Sequence, residues 1–333
     1  MLNFGLIKHL KLTDTSLIII FSIIIGSFLG HFNPAAGELM SKQVDFTLLI
    51  LVGFLFFGIR FGVLFKVAKS IQFFSIALLA NFIFVPIIGY SIASLFLSAH
   101  PLLLVGLVIY FMSPCTDWFL SFTRLSKGNV ALGAALIPLN MILQLLLYPF
   151  YLQWFTHNNV QVDAMIISTA LLQWFLLPLF IAVAMHQLLK WFLKPVWFEL
   201  ILEKVDNTTL WITALLVLQI FAGNIVLILD HFSVLGWLLI AVCCFFFITF
   251  LLANGLTYLF KISYPEHALL TMTIASRNAP LMLAVTMATL PEQPLIYAAL
   301  VIGMLVEIPH LTILQHLLLI RLAILVQLSL MQK

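Results

Sequence analysis

Charge is what this sequence has least of. Asp, Glu, Lys and Arg make up 8% of 333 residues while 64% are hydrophobic; an ordinary soluble domain carries about 25% charged and roughly 45–50% apolar residues. Water is thereby excluded as the solvent for most of the folded surface. The formal net charge of +3 is small for this length, so no nucleic-acid partner is implied. Cysteine is also scarce: Cys115, Cys243 and Cys244 all lie in apolar runs, with no CxxC pair and no Cys/His metal spacing. Neither a disulfide framework nor a structural zinc site is indicated. The chain has no HExxH, GxSxG or Walker A pattern and no sizeable polar domain, which argues against an enzyme and against a bound cofactor. No pattern specifies an oligomeric state.

What the chain has instead is long apolar runs. Windows of about 20 apolar residues, the length that crosses a bilayer as a helix, fall at residues 15–31, 46–65, 71–98, 101–125, 129–155, 164–193, 208–229, 234–260, 266–290 and 296–328. In lipid every backbone donor and acceptor must be satisfied within the segment, and these runs exceed the roughly 10 residues of a barrel strand. The expected fold class is therefore all-α integral membrane, with ten transmembrane helices. The first run, Ser16 to Leu29 after Lys8 and Lys11, has the look of a signal peptide. It is as apolar as the later runs, however, and it makes the number of spans even, so it reads as helix 1.

Lys and Arg set the orientation. Lys8 and Lys11 precede helix 1, Arg60, Lys66 and Lys69 follow helix 2, and Arg124 and Lys127 follow helix 4. Lys190, Lys194 and Lys204 lie between helices 6 and 7, Lys261 between 8 and 9, and Arg321 and Lys333 close the chain. The opposite connections hold only Lys42, a bias of thirteen to one. The positive-inside rule then makes this a multi-pass protein of the cytoplasmic (cell) membrane with both termini cytoplasmic.

The two halves resemble each other. Residues 137–147, IPLNMILQLLL, and 308–318, IPHLTILQHLL, agree at seven of eleven places, including Pro138 with Pro309 and Gln144 with Gln315. Helix 5 thus corresponds to helix 10. Five spans per half is an odd number, so the second half is inverted, and inverted repeats are a transporter signature. The expected organisation is a first repeat over 1–155 and a second over 156–333.

Helices 4 and 9, equivalent under this repeat, are each interrupted, by Ser113-Pro114-Cys115-Thr116-Asp117 and by Ser276-Arg277-Asn278-Ala279-Pro280. Proline removes a backbone hydrogen bond and clashes with the preceding turn, so carbonyls and amides are freed where only a cavity can tolerate them. The broken helices are expected to cross at mid-membrane. Cys115, Asp117, Asn140, Arg277, Asn278 and Glu307 fall roughly 10–17 residues into their spans, near the bilayer centre at 1.5 Å per residue. Arg277 has two candidate partners, Asp117 and Glu307. A buried charge costs at least about 2.5–3.5 kcal/mol and normally pairs; with two acids to one Arg, a surplus carboxyl is available to carry a proton. Cys115 reads either as a small buried hydrophobe or as a soft ligand beside Thr116, whereas Cys243 and Cys244 read as hydrophobes. His310, one turn beyond Glu307, is either a proton relay or merely hydrogen-bonded. His316 and Arg321 lie toward the cytoplasmic end.

Pro114-Cys115-Thr116-Asp117-Trp118-Phe119, then Thr123-Arg124-Leu125-Ser126-Lys127-Gly128-Asn129, resembles helix 4 and its following loop in the bile acid/sodium symporter superfamily, more closely its arsenical-resistance branch. Ser276-Arg277-Asn278-Ala279-Pro280 and Leu305-Val306-Glu307-Ile308-Pro309 are similar to its helices 9 and 10. In that branch a helix 4 Cys and a helix 10 Glu accompany arsenite extrusion, and Cys115 and Glu307 fall on those positions. There are departures. Where sodium-coupled members carry a Ser-Asn pair, a Glu and a Gln, this chain has Phe119-Leu120, Thr273 and Arg277, and a guanidinium cannot ligate sodium. Pro114 stands where close arsenite exporters carry an Arg.

The resemblance and the residues together imply a secondary active transporter, most simply a proton-coupled antiporter that exports an arsenite-like metalloid. Cys115 would be the metalloid ligand, with Thr116, Asn140 and Asn278 as further substrate contacts, and Glu307, Asp117, Arg277 and His310 would serve proton coupling. The alternative is a symporter of a small organic anion in which Arg277 clamps a carboxylate.

Overall fold

A computed structural model describes residues 14–58, 70–116, 118–156, 177–230, 232–290 and 293–331. These residues form α1 (Asp14–Phe32), α2 (Pro34–Ser41), α3 (Val44–Phe57), α4 (Ile71–Leu79), α5 (Val85–Leu97), α6 (Pro101–Phe111), α7 (Phe119–Leu125), α8 (Val130–Thr156), α9 (Leu177–Phe192), α10 (Pro195–Asp230), α11 (Phe232–Phe260), α12 (Tyr264–Ala275), α13 (Ala279–Thr289) and α14 (Pro294–Met331). No strand occurs among the described residues; one isolated antiparallel bridge joins Pro114 to Arg277.

Among the described residues, five helical stretches are long and apolar enough to cross a bilayer: Ile71–Leu97, Val130–Phe155, Pro195–Val226, Val234–Phe260 and Pro294–Gln327. Pro34–Ser41 and Phe46–Phe57, bent by 45°, make a sixth if read as one span. The apolar windows at 101–125 and 266–290 are each divided into two shorter helices, α6 with α7 and α12 with α13. The solvent inference from composition is visible in the packing. Phe21, Phe28, Trp154, Trp191, Phe247 and Tyr258 turn outward, while Asn81, Asn140, Arg277, Asn278 and Glu307 are 0% exposed. Such a surface belongs against lipid.

Two devices position the helices around the interior. First, glycines bring backbones together. A Cβ added to Gly26 would meet Leu218 O at 2.4 Å, and one on Gly30 would meet Ala222 O at 2.0 Å, so α1 lies on α10 through a small-residue ridge of the kind that membrane helices use. Gly106 of α6 is equally tight on Ile296 O of α14, at 2.5 Å.

Second, α4 runs into α5 through a π-helical turn, Ala80–Phe84, just before Pro86. Pro86 has no N–H for the Phe82 carbonyl, and its ring crowds that turn; the wider π turn relieves the crowding. The Tyr151 hydroxyl of α8 then donates to Phe82 O at 2.6 Å, replacing the missing amide. The bulge also turns Asn81 into the core.

Candidate functional site

The two helix breaks satisfy one another. α6 ends at Phe111 and α12 at Ala275, and the extended residues that follow lie antiparallel: Cys115 N donates to Ser276 O at 3.1 Å and Asn278 N to Ser113 O at 2.8 Å. Backbone groups that Pro114 and Pro280 set free are thus paired across the crossing instead of being left in an apolar interior. Asn278 also caps α13, its Oδ1 accepting from Leu281 N at 3.3 Å, while its Nδ2 donates to Thr116 Oγ1 at 2.8 Å. The side chains of Cys115, Thr116 and Asn278 are all buried.

Among the described residues Arg277 forms no ion pair with Glu307. Its guanidinium Nη1 donates to Phe111 O at 2.9 Å, and Nη2 donates to Thr273 O at 3.1 Å and to Ile274 O at 2.5 Å. These carbonyls lie at the C-terminal ends of α6 and α12, where the helix dipoles concentrate negative partial charge. The sequence pairs charges of opposite sign, but the strongest acceptors near this Arg are open helix ends that no side-chain count registers. The Phe245 ring flanks the guanidinium with its centroid 5.7 Å away.

Glu307 is instead held by neutral donors. Oε1 accepts from Trp118 Nε1 at 2.8 Å and from the backbone N–H of Arg277 at 2.8 Å, and Oε2 lies 3.0 Å from the Tyr110 hydroxyl. Asp117, the second acid expected to face Arg277, lies outside the described residues.

On the far side of the crossing, Thr273 Oγ1 accepts from Asn81 Nδ2 at 3.1 Å and from Asn140 Nδ2 at 3.4 Å; Asn140 Nδ2 also approaches Cys115 O at 3.5 Å. The Oδ1 atoms of Asn81 and Asn140 and both polar atoms of Gln144 have no partner among the described residues. Since Asn140 and Gln144 are one turn apart on α8, this side of the crossing offers a row of buried amides. His310 is set apart: its ring stacks on Phe246 at 4.2 Å and 10°, and its Nε2 has no partner among the described residues.

Cys115, Thr116, Asn140, Asn278, Arg277 and Glu307 are therefore linked through the crossing by direct hydrogen bonds. Tyr110, Trp118 and Asn81 join them although nothing in composition or charge marks them. Their signals are slight: a Tyr four residues before a break, a Trp just after it, and one Asn inside the apolar window before Pro86.

Apolar helices interrupted around buried charge are the architecture of membrane transport proteins, which bind where irregular backbone lines an interior. The chain belongs to the sodium bile acid symporter family, whose model matches residues 46–231, more than half of its length. That stretch runs from within α3 to the end of α10 and includes the break with Cys115; Arg277 and Glu307 lie beyond it. No curated protein matches the chain.

Proposed function

We propose that the chain is a proton-coupled exporter of an arsenite-like metalloid, of the arsenical-resistance kind. Its ten helices form two inverted repeats, 1–155 and 156–333, in the cytoplasmic membrane with both termini cytoplasmic. The observation that carries this reading is the buried Cys115 in the paired breaks, its backbone carbonyl approached by Asn140 Nδ2, with Thr116 and Asn278 hydrogen-bonded to each other at the same crossing and Glu307 joined to it through the Arg277 N–H.

A neutral trihydroxy metalloid binds by ligand exchange. The S–H bond of Cys115 breaks, a sulfur–metalloid bond forms, and the displaced hydroxide leaves with the thiol proton as water. Thr116, Asn140 and Asn278 offer hydrogen bonds to the two hydroxyls that stay. Soft thiophilic centres favour such a site over hard cations. Arg277 acts as a tethered cation on the carbonyls where sodium-coupled relatives admit an ion, which leaves the proton as coupling ion and Glu307 as its carrier. Alternating access of the repeats then exchanges metalloid for proton. The organic-anion reading needs the guanidinium to clamp a carboxylate; Nη1 and Nη2 already donate to backbone carbonyls, which leaves Nε as the buried donor without a partner among the described residues.

The test is uptake of arsenite, antimonite and small carboxylates into everted vesicles under imposed proton or sodium gradients. Arsenite uptake driven by the proton gradient is expected, abolished in Cys115→Ser and retained in Cys243→Ala and Cys244→Ala. Glu307→Gln should lose gradient-driven transport while keeping metalloid binding. Carboxylate transport indifferent to Cys115, or a response to sodium alone, overturns the reading.

A further inference from the structure

Tyr110 presents a shortage of hydrogens. Its hydroxyl oxygen lies 2.9 Å from Gly303 O and 3.0 Å from Glu307 Oε2, and a phenol has one hydrogen to give. Gly303 O is a carbonyl and only accepts. If Tyr110 donates to Gly303 O, the hydrogen in the contact with Oε2 has to come from the carboxyl. If Tyr110 donates to Oε2, two oxygens face each other at 2.9 Å with no hydrogen between them.

The other carboxyl oxygen discriminates between these cases. Oε1 accepts two N–H donors, from Trp118 and from the Arg277 backbone; these fill both lone pairs of a carbonyl-type oxygen. Among the described residues Oε2 has no N–H donor, as expected of a hydroxyl-type oxygen. Among the same residues no cation reaches either oxygen, because the Arg277 guanidinium is turned to Phe111, Thr273 and Ile274. Among the described residues the ionisable groups about the carboxyl are Tyr110 on α6, Arg277 and Cys115 in the breaks, and His310 one turn along α14, which is stacked on Phe246 of α11. None of them is in place to force ionisation by a direct charge-assisted bond among the described residues.

We infer that Tyr110 is the positioning residue of the proton site: Glu307 is a neutral acid in this conformation, its Oε2–H donating to Tyr110, whose own hydroxyl donates to Gly303 O. Gly303 is part of the arrangement. A Cβ there would lie 2.7 Å from Tyr110 Cε1, so the ring can lie flat on α14 and reach both oxygens only while position 303 lacks a side chain. Unloading the acid requires Tyr110 to rotate its single hydrogen from Gly303 O to the carboxylate. The tie between α6 and α14 through Gly303 O is thereby exchanged for one through Glu307, which links protonation to the contact between two helices. This deepens the reading that Glu307 carries the coupling proton, but the protonation state is measurable whatever the chain transports.

The experiment is infrared spectroscopy of the protein in lipid at neutral pH. A carboxylic-acid carbonyl band, shifted in deuterium oxide and lost in Glu307→Gln, is expected, and Tyr110→Phe should move or remove it. Gly303→Ala should act in the same way through the displaced ring. Tyr110→Phe deletes one oxygen and leaves packing intact; it should slow proton-driven transport about tenfold, the worth of one hydrogen bond. Absence of a band that depends on Glu307, or a band indifferent to Tyr110→Phe, overturns the inference. Failure of arsenite transport with the band present overturns the substrate assignment alone.

Discussion

Gly30 and Ala222 approach so closely that a methyl group on Gly30 would stand 2.0 Å from the Ala222 carbonyl oxygen. The obstacle is backbone on a neighbouring helix, so no rotamer change can relieve it. Gly30→Ala should lower stability by about 3 kcal/mol, the upper end of the overpacking range, seen as a lower melting temperature in detergent. Gly53 has nothing within 4 Å of its added Cβ, and Gly53→Ala should be neutral or stabilising because Ala is the better helix former. Equal melting of the two variants would remove the close approach of α1 to α10.

Arg277 gives donors to two helix ends at once, and its loss should be felt as folding, not only as transport. Arg277→Ala leaves the carbonyls of Phe111, Thr273 and Ile274 without these donors, at about 1–3 kcal/mol for each group left unsatisfied. The variant should give little monodisperse protein on size exclusion. Arg277→Lys, with three ammonium donors, should be recovered folded. A well-folded Arg277→Ala protein would mean that the helix ends need no tethered cation.

The burial of Cys115 gives a labelling prediction, since its side chain is fully enclosed. In a Cys243→Ala, Cys244→Ala protein, maleimide should modify Cys115 at least tenfold more slowly in membranes than after denaturation, and modification should stop when arsenite is present. Rapid labelling of Cys115 unaffected by arsenite would place the thiol outside the transport path.

Arg321 joins three helices far from the crossing. Its Nη1 donates to Asn254 Oδ1 at 2.7 Å and to His267 Nε2 at 2.9 Å. His267 therefore accepts at Nε2 and donates from Nδ1 to Thr257 Oγ1 at 2.6 Å, and that hydroxyl donates to Ala253 O at 2.8 Å. Arg321→Ala should cost about 1–3 kcal/mol by leaving buried acceptors unmade, measured by thermal unfolding at neutral pH. Arg321→Lys should recover part of it. If both variants melt like the parent, the cluster does not hold α11, α12 and α14 together.

The sequence was most legible where chemistry is local. Pro114 and Pro280 announce breaks because a proline ring acts on its own turn, and the long apolar runs announce lipid. The sequence is least legible where the partner is distant or carries no charge. Arg277 invites pairing with carboxyls, yet among the described residues it serves carbonyls whose availability arises only once two helices end beside each other. Tyr110 and Trp118 sit in apolar stretches where aromatic residues ordinarily pack, and only the fold brings them to Glu307. An apolar window also does not mark a helix end: α10 begins at Pro195, well before the window at 208, because the helix continues through Glu199, Glu203 and Lys204, where hydropathy falls but helix propensity does not.

The bond between Tyr151 and Phe82 has a consequence in time. The two residues are 69 apart in the chain, so the stretch containing Pro86 emerges from the ribosome and enters the bilayer before its substitute donor has been synthesised. Until α8 arrives, the Phe82 carbonyl must find water at the translocation site or remain bare in lipid, a state worth several kcal/mol. The π turn in this helix is therefore completed by α8 and not by its own residues. Ribosome-arrested chains ending before and after Tyr151 would differ in how firmly the helix of α4 and α5 is seated.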